Sequence, residues 1–206
     1  MITALTVNYE TPDFLERLLS GFRKYYDLPF IVVDGSSEYN YDQIKPFTKR
    51  YGVEIHHFDY NIHHGPGMAY GINYIKTDRI LLLDSDLIVI NPGFVEDLHA
   101  KLKPDNYGIG DVQTVNELGF NVFRGIKYLH PACALINRGV VIQYPLPVKH
   151  GAPMIQAMRT LDDSGKSDLL QHEPWVTNDF RNDKKIYVSH SWQGTVKRVG
   201  GYNLFG

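Results

Sequence analysis

Two kinds of apolar pattern alternate over the first ninety residues of the chain. Short runs of aliphatic and β-branched residues predict strands that are buried on both faces of a sheet. Between these runs, apolar side chains recur three and four positions apart, as in the segment after Pro12, where Leu15 and Phe22 share one helical face. The predicted strands cover residues 2–8, 30–33, 53–58 and 80–90, and the predicted helices cover 12–22, 41–51 and 67–76.

Beyond Pro92 the same patterns continue more weakly. They predict helices over 92–102 and 153–161 and strands over 107–115, 132–137 and 186–189. The chain has no internal repeat, low-complexity tract or linker that would divide it. Strands that alternate with helices form parallel pairs, because each crossover helix returns the chain to the same edge of the sheet. We therefore expect one α/β domain over residues 1–206, with a central, mostly parallel mixed sheet flanked by helices.

The composition is that of a folded globular protein without a basic surface. The chain has 206 residues, and its 21 lysine and arginine residues against 23 aspartate and glutamate residues give a formal charge of -2. A nucleic-acid partner is not expected, because contacts to phosphates need an excess of positive charge. The single cysteine, Cys133, excludes an intrachain disulfide and is typical of a reducing compartment.

No segment predicts an integral membrane span or a secretory leader. The strongest apolar runs, near Ile80 and Ile90, are interrupted by Asp84 and Asp86 and are too short to cross a bilayer. The first nine residues lack a basic start followed by a long apolar stretch. We therefore expect a cytoplasmic protein, while attachment to a membrane surface through an exposed patch stays open.

The sequence Asp84-Ser85-Asp86 directly follows an apolar strand and is the main candidate for chemistry. Residues two apart in an extended chain face the same side, so both carboxylates can converge on one divalent cation. Two like charges at the end of a buried strand are costly unless a cation compensates them. The alternative is a solvated corner, because aspartate is common in turns.

Polar residues also end the other strands of the predicted sheet. Asp34 follows the second strand, where its carboxylate can accept from a pyrimidine N–H or a ribose hydroxyl, or can form an ordinary Asp-Gly turn. Tyr9 and Glu10 end the first strand and add an aromatic face and an acceptor. Gly67 belongs to a glycine-rich segment, 65–71, that opens a helix, where either a phosphate or neighbouring protein can approach the backbone.

His190 follows the last predicted strand and is the best histidine candidate for a metal ligand. An imidazole suits a transition-type ion such as manganese, and Lys197, seven positions later, can neutralise a phosphate. The alternative for His190 is a structural role at a strand end. The pairs His56-His57 and His63-His64 rank lower, because adjacent side chains on a strand point to opposite faces.

Four segments together resemble the nucleotide-sugar glycosyltransferases of the GT-A fold, and over about residues 1–100 they resemble family 2. They are Thr6-Val7-Asn8-Tyr9-Glu10, Ile31-Val32-Val33-Asp34-Gly35-Ser36, Asn61 with Gly65 to Gly71, and Leu81-Leu82-Leu83-Asp84-Ser85-Asp86, in that order. The spacing of His190, Gly194 and Lys197 is similar to the C-terminal metal-histidine motif of other GT-A families, many of them retaining. The resemblance therefore leaves the stereochemistry open.

The resemblance implies a metal-dependent enzyme of the hexosyltransferase class that uses a UDP-sugar donor, with Mn²⁺ or Mg²⁺ as cofactor. Residues 1–100 would bind the nucleotide and residues 101–206 the acceptor, a glycan or glycoprotein. The short chain also resembles glycosyltransferase domains that chlorella viruses encode for capsid glycans, which would place it in host cytoplasm. The implied donor-binding residues are Val7, Tyr9, Glu10, Asp34, Gly67, Asp84 and Lys197, and the implied metal ligands are Asp84, Asp86 and His190.

The catalytic residues expected from this interpretation are Asp86, Lys197 and Glu173. The cation and Lys197 would stabilise the charge on the leaving diphosphate, since cleavage of the bond to the sugar leaves that charge behind. An inverting reaction also needs a base for the acceptor hydroxyl. The acidic pair that family 2 carries before a late helix is not evident in this chain, which leaves Glu173, Asp179 and His150 as candidates.

Other functions stay open at this point. A catalytically inactive nucleotide- or sugar-binding module would share the same pattern. A nucleotidyltransferase would carry a basic, glycine-rich loop after the first strand, and residues 8–12 contain none. An aspartyl phosphatase of the haloacid-dehalogenase type would have threonine or valine where the chain has Ile88.

Overall fold

The computed structural model describes residues 1–173 and 187–191, together with Gly194 and Arg198. In these residues the strands are β1 (Ile2–Asn8), β2 (Phe30–Asp34), β3 (Glu54–His57), β4 (Arg79–Leu83), β5 (Leu87–Val89), β6 (Gly108–Val115), β7 (Ile126–Asn137), β8 (Leu170–His172) and β9 (Val188–His190). The helices are α1 (Pro12–Arg23), α2 (Glu38–Ile44), α3 (Phe47–Tyr51), α4 (His64–Tyr74), α5 (Phe94–Lys101), α6 (Arg138–Val141) and α7 (Ile155–Asp163).

Seven strands form the main sheet in the order β3-β2-β1-β4-β7-β6-β8. The pairs β3–β2, β2–β1, β1–β4 and β6–β8 are parallel, whereas β7 runs antiparallel to both of its neighbours, β4 and β6. The prediction of a central, mostly parallel mixed sheet is confirmed. Because β7 is the reversed strand, the carboxyl ends of β1, β2, β4, β6 and β8 all lie along one edge.

Helices cover both faces of this sheet, which makes an α/β domain of three layers. Alternate residues of each central strand point to opposite faces, so that Ala4 belongs to one apolar cluster and Leu5 to the other. The first cluster contains residues of α1, α2, α3 and α5, and the second contains residues of α4 and α7. The helical stripe predicted after Pro12 is buried in the first cluster, where Leu15 and Phe22 have no exposed surface.

Two predicted elements are wrong, because each of them is interrupted. The helix predicted over 41–51 is two helices, α2 and α3, separated at Pro46, which lacks an N–H donor and clashes with the preceding turn of a helix. The strand predicted over 80–90 is also two elements, because a turn after β4 leads the chain out of the main sheet. Its second half, β5, pairs instead with β9 in a separate two-stranded antiparallel sheet.

The second half of the chain departs further from the predicted pattern. β7 begins at Ile126 rather than at residue 132, and its extra residues pair with β6 beyond an irregularity between Gly110 and Val112. The short elements β8 and α6 are not predicted from the sequence, because three or four residues carry no recognisable period. Among the described residues, none of the helices combines the length and apolar character that crossing a membrane requires.

Candidate functional site

The two aspartates lie on a tight turn at the centre of the carboxyl edge. β4 is buried between β1 and β7, and the Asp84 N–H still donates to the Ala132 carbonyl of β7 over 2.9 Å. The Leu87 N–H then donates to the Asp84 carbonyl over 3.2 Å and closes the turn. The carboxylates of Asp84 and Asp86 therefore converge through a turn, and not through the extended chain that the sequence analysis assumed.

His190 completes a cluster with these two carboxylates. Antiparallel pairing places His190 of β9 opposite Leu87 of β5, directly beside Asp86. The His190 Nε2 atom lies 2.8 Å from Asp86 Oδ1 and 3.4 Å from Asp84 Oδ2. One potential ligand atom from each of the three residues lies within 4.8 Å of the other two. The predicted metal ligands are thus together in space, and two oxygens with one nitrogen fit a divalent ion such as Mn²⁺.

The charges in this cluster depend strongly on one another. Burial of Asp84 by itself raises its pKa, but the hydrogen bond with His190 and the nearby His64 and His130 outweigh burial and hold that pKa well below its usual range. Burial lowers the pKa of His190, but its bonds to Asp84 and Asp86 raise the pKa of His190 to about 9. A protonated His190 therefore balances the carboxylates, and a divalent cation supplies the same balance with His190 neutral.

Two histidines near the cluster were missed or ranked too low in the sequence analysis. The His64 Nε2 atom lies 3.4 Å from Asp84 Oδ1, so the two oxygens of this carboxylate face different histidines. The ring centroid of His130 lies 6.3 Å from that of His190. The pair His63-His64 ranked low because adjacent side chains on a strand point to opposite faces. This argument does not apply, because His63 is the N-cap of α4 and His64 is the first residue of that helix. The signal available in the sequence was the position of this pair at the start of the helix that precedes β4.

Asp34 ends β2 in a fully buried polar network. Its Oδ1 accepts from Asn8 Nδ2 over 2.8 Å and from the Ser36 hydroxyl over 2.7 Å, and its Oδ2 lies 2.8 Å from His57 Nδ1. Its side chain has no exposed surface. These contacts join the ends of β1, β2 and β3. The predicted contact between Asp34 and uracil stays a prediction, and it requires one of these partners to move aside.

Glu10 follows β1 in the left-handed region, with φ 57°, and its carboxylate faces the loop after β2. It accepts from the Ser37 N–H, from the Ser37 hydroxyl over 3.0 Å and from Asn40 Nδ2. Burial raises the pKa of Glu10, but these bonds prevail, so the pKa lies below its usual value. Val7 and Tyr9 are half-buried beside it. A groove of ≈ 800 Å³ lies next to Glu10 and is lined by residues of α1, α2 and α3.

Gly67 serves the packing of α4 in this structure. A Cβ atom at this position would lie 2.8 Å from Cγ1 of Val7, closer than carbon atoms approach. The absence of a side chain therefore lets α4 pack against β1, which is the alternative that the sequence analysis left open. The predicted contact between Gly67 and the donor stays a prediction.

The remaining candidates lie at greater distance or outside the described residues. Glu173 follows β8 at the carboxyl edge, where it forms an ion pair with Lys101 over 3.2 Å. β8 is the third strand from β4, which corresponds to about 14 Å at the usual strand spacing. The His150 ring centroid lies 5.9 Å from that of His63, and burial followed by His64 and His63 lowers the pKa of His150. Lys197 and Asp179 lie outside the described residues.

Several solved structures share this fold at low sequence identity. The mannosyltransferase PcManGT from Pyrobaculum calidifontis, in complex with GDP-Man and Mn²⁺, has a TM-score of 0.61 at 12% identity over 87% of this chain and 58% of its own. S. aureus TarS 1-349 in complex with UDP-GlcNAc has a TM-score of 0.61 at 13% identity over 91% and 57%. Glucosyl-3-phosphoglycerate synthase from Mycobacterium tuberculosis, in complex with phosphoglyceric acid, has a TM-score of 0.62 at 14% identity over 84% and 69%.

The chain spans less than two thirds of PcManGT and of TarS 1-349. No curated protein matches the sequence significantly. A model of Glycosyl transferase family 2 matches residues 3–159, which include β1 from its second residue, the segment before α4, and the Asp84-Ser85-Asp86 turn. This match covers more than half of the chain and agrees with the GT-A-like neighbours in fold. The chain belongs to Glycosyl transferase family 2.

Proposed function

We propose that the chain transfers a sugar from a UDP-sugar to a hydroxyl group of a glycan or glycoprotein, with Mn²⁺ or Mg²⁺ as cofactor. The observation that carries this proposal is the cluster of Asp84, Asp86 and His190 at the carboxyl edge of a family 2 domain. Ligands of open parallel sheets bind at this edge. A cytoplasmic site of action is part of the proposal, supported by the single buried cysteine, Cys133.

Residues 1–100 are proposed to hold the donor. The base would lie at the ends of β1 and β2, against Val7 and Tyr9, with Glu10 and Asp34 as acceptors. The TarS complex contains UDP-GlcNAc and the PcManGT complex contains GDP-Man, so related folds accept both nucleotides. Uracil is proposed because the segments at the ends of β1 and β2 resemble those of UDP-sugar transferases, and the two carboxylates can accept from its ring N–H. Gly67 would lie beside the donor at the start of α4.

Asp84, Asp86 and His190 would hold the divalent cation. When bound, this cation supplies positive charge that stabilises the diphosphate leaving group. Asp86 would be kept in its orientation by the Gly194 N–H, which donates to its Oδ2 over 2.9 Å. Asp84 would be held between His64 and His190. Lys197 is proposed to contact the diphosphate from the C-terminal segment.

Residues 101–206 are proposed to bind the acceptor. Glu173 and His150 are the described candidates for accepting the proton of the acceptor hydroxyl. Glu173 would have to exchange its ion pair with Lys101 for the acceptor. His150 lies beside His63, the chain neighbour of His64, which contacts Asp84. The lowered pKa of His150 keeps its imidazole neutral at pH 7.

The decisive experiment measures the binding and turnover of UDP-sugars with Mn²⁺ and with EDTA. We expect UDP release that depends on Mn²⁺, and we expect Asp86→Ala to reduce both Mn²⁺-dependent UDP binding and turnover by at least about 100-fold. GDP-mannose in the same assay tests the proposed preference for uracil.

Asp78→Ala is the matched control, because the Asp78 side chain is 92% exposed at the opposite edge of the sheet. Its binding and turnover should equal those of the wild type. UDP binding without turnover of any donor would instead indicate a binding module. Equal UDP affinity in Asp86→Ala and the wild type would contradict the assignment of the site.

A further inference from the structure

The hairpin between β6 and β7 extends beyond the carboxyl edge of the main sheet. Leu83, the last residue of β4, pairs with Cys133 of β7. The residues of β7 that precede Cys133 therefore continue past the end of β4, and they pair with the last residues of β6. The tip of this hairpin, residues 116–125, stands on the same side of the molecule as Asp84.

The tip exposes three large apolar side chains within six residues. Leu118 is 61% exposed, Phe120 is 53% exposed and Phe123 is 94% exposed. Isolated exposed apolar residues are common on protein surfaces, whereas larger exposed apolar patches mark sites of interaction. Three such side chains on one turn at the carboxyl edge therefore need an explanation.

Hydrogen bonds hold the tip in this conformation. The Asn116 side-chain Oδ1 accepts from the N–H groups of Leu118 and Phe120, each over 3.0 Å. The Asn116 N–H donates to the Phe120 carbonyl over 2.8 Å, and the Val122 N–H donates to the Thr114 carbonyl over 2.9 Å. The apolar side chains thus project from an ordered turn, and their exposure is a property of the fold.

The charges around the tip favour a negatively charged partner. Arg124 and Lys127 are both exposed beside the apolar residues. Glu117, the acidic residue within the tip, is paired with Arg159 of α7. Exposed apolar side chains flanked by cations have the chemistry of segments that lie in the interface of an anionic bilayer.

We propose that the hairpin tip docks on the surface of an anionic lipid bilayer. Leu118, Phe120 and Phe123 enter the boundary between headgroups and acyl chains, while Arg124 and Lys127 contact the headgroups. Docking in this orientation turns the carboxyl edge of the sheet toward the membrane. The docking itself rests on the hairpin and not on the proposed transferase activity, so each can fail alone.

Co-sedimentation with vesicles tests the proposal on the full chain. The vesicles contain phosphatidylcholine alone or phosphatidylcholine with phosphatidylglycerol. We expect binding to the anionic vesicles, a loss of affinity of at least about tenfold in Phe120→Ser/Phe123→Ser, and a loss of the preference for anionic vesicles in Arg124→Gln/Lys127→Gln. Ile142→Ser is the matched control, because Ile142 is 46% exposed after α6, at the opposite edge, and its binding should be unchanged.

Thermal unfolding of each variant shows whether it is folded, and these surface changes should leave the midpoint close to that of the wild type. The proposal is overturned if the wild type does not sediment with anionic vesicles, or if the double phenylalanine variant sediments equally well. It is also overturned if light scattering shows a dimer of the wild type that the same variant abolishes while vesicle binding is unaffected, because a second copy would then cover the tip.

Discussion

At the scale of single residues, the Asp84 carboxylate is held from both sides. His190 faces its Oδ2 and His64 faces its Oδ1, each over 3.4 Å. A carboxylate with only one such partner can rotate away from an ion, whereas two partners fix its plane. At the proposed metal site, His64 would therefore act on a bound cation through the orientation of Asp84, as a positioning residue outside the described cluster of three candidate ligands.

This arrangement predicts different effects for the two histidines. His64→Ala should weaken Mn²⁺ binding by about tenfold, because Asp84 loses a partner but all three ligands remain. His190→Ala removes a ligand and should weaken Mn²⁺ binding by more than about 100-fold. Isothermal titration of the free protein with Mn²⁺ measures both effects without any donor. His99→Ala is the control, since His99 is exposed on α5 and contacts Arg79. Equal losses for His64→Ala and His190→Ala would contradict the separate roles.

At the scale of elements, the position of α4 is set by glycines that let it approach its neighbours. A Cβ atom at Gly65 would lie 2.4 Å from the Lys149 carbonyl oxygen and 2.6 Å from the Val148 carbonyl carbon. Backbone atoms cannot move aside as the end of a flexible side chain can. The loop that contains His150 therefore lies against the start of α4, next to His63 and His64.

We expect Gly65→Ala to destabilise the protein by about 1–3 kcal/mol through this overlap. The higher helix propensity of alanine offsets at most about 1 kcal/mol, so the overlap prevails. Gly139→Ala in α6 is the matched control, because a Cβ atom there has no neighbour within 4 Å, and it should be neutral or slightly stabilising. Urea unfolding measures both variants. A Gly65→Ala variant as stable as the wild type would show that the loop moves freely.

The sequence was most informative about elements whose residues carry a clear period. The strand β1 and the helix α1 are predicted well, because their burial follows directly from the apolar pattern. The separation of β5 from β4 was not predicted, since the pairing of β5 with β9 joins residues about a hundred positions apart. The approach of His64 to Asp84 was also missed, because it depends on how α4 packs against the sheet. Local patterns specify elements, whereas these contacts depend on tertiary packing.

At the scale of the whole molecule, the candidate metal cluster joins two separate sheets. Asp84 follows β4 of the main sheet, whereas Asp86 precedes β5 and His190 ends β9 of the small sheet. The Ser191 N–H also donates to the Asp86 carbonyl over 3.3 Å. A cation held by all three side chains would therefore tie β9, which comes late in the chain, to the centre of the domain.

This connection predicts that Mn²⁺ protects β9 from hydrogen exchange. A cation at 100 times its dissociation constant stabilises the bound state by about 2.7 kcal/mol, which slows exchange through local opening of β9 by up to about 100-fold. Mass spectrometry of a peptide spanning 187–191 measures the change. The peptide that contains β3, at the far edge of the main sheet, is the internal control and should exchange equally with Mn²⁺ and with EDTA. In Asp86→Asn the protection of β9 should disappear. Unchanged exchange of β9 in the wild type at saturating Mn²⁺ would mean that no cation bridges the two sheets.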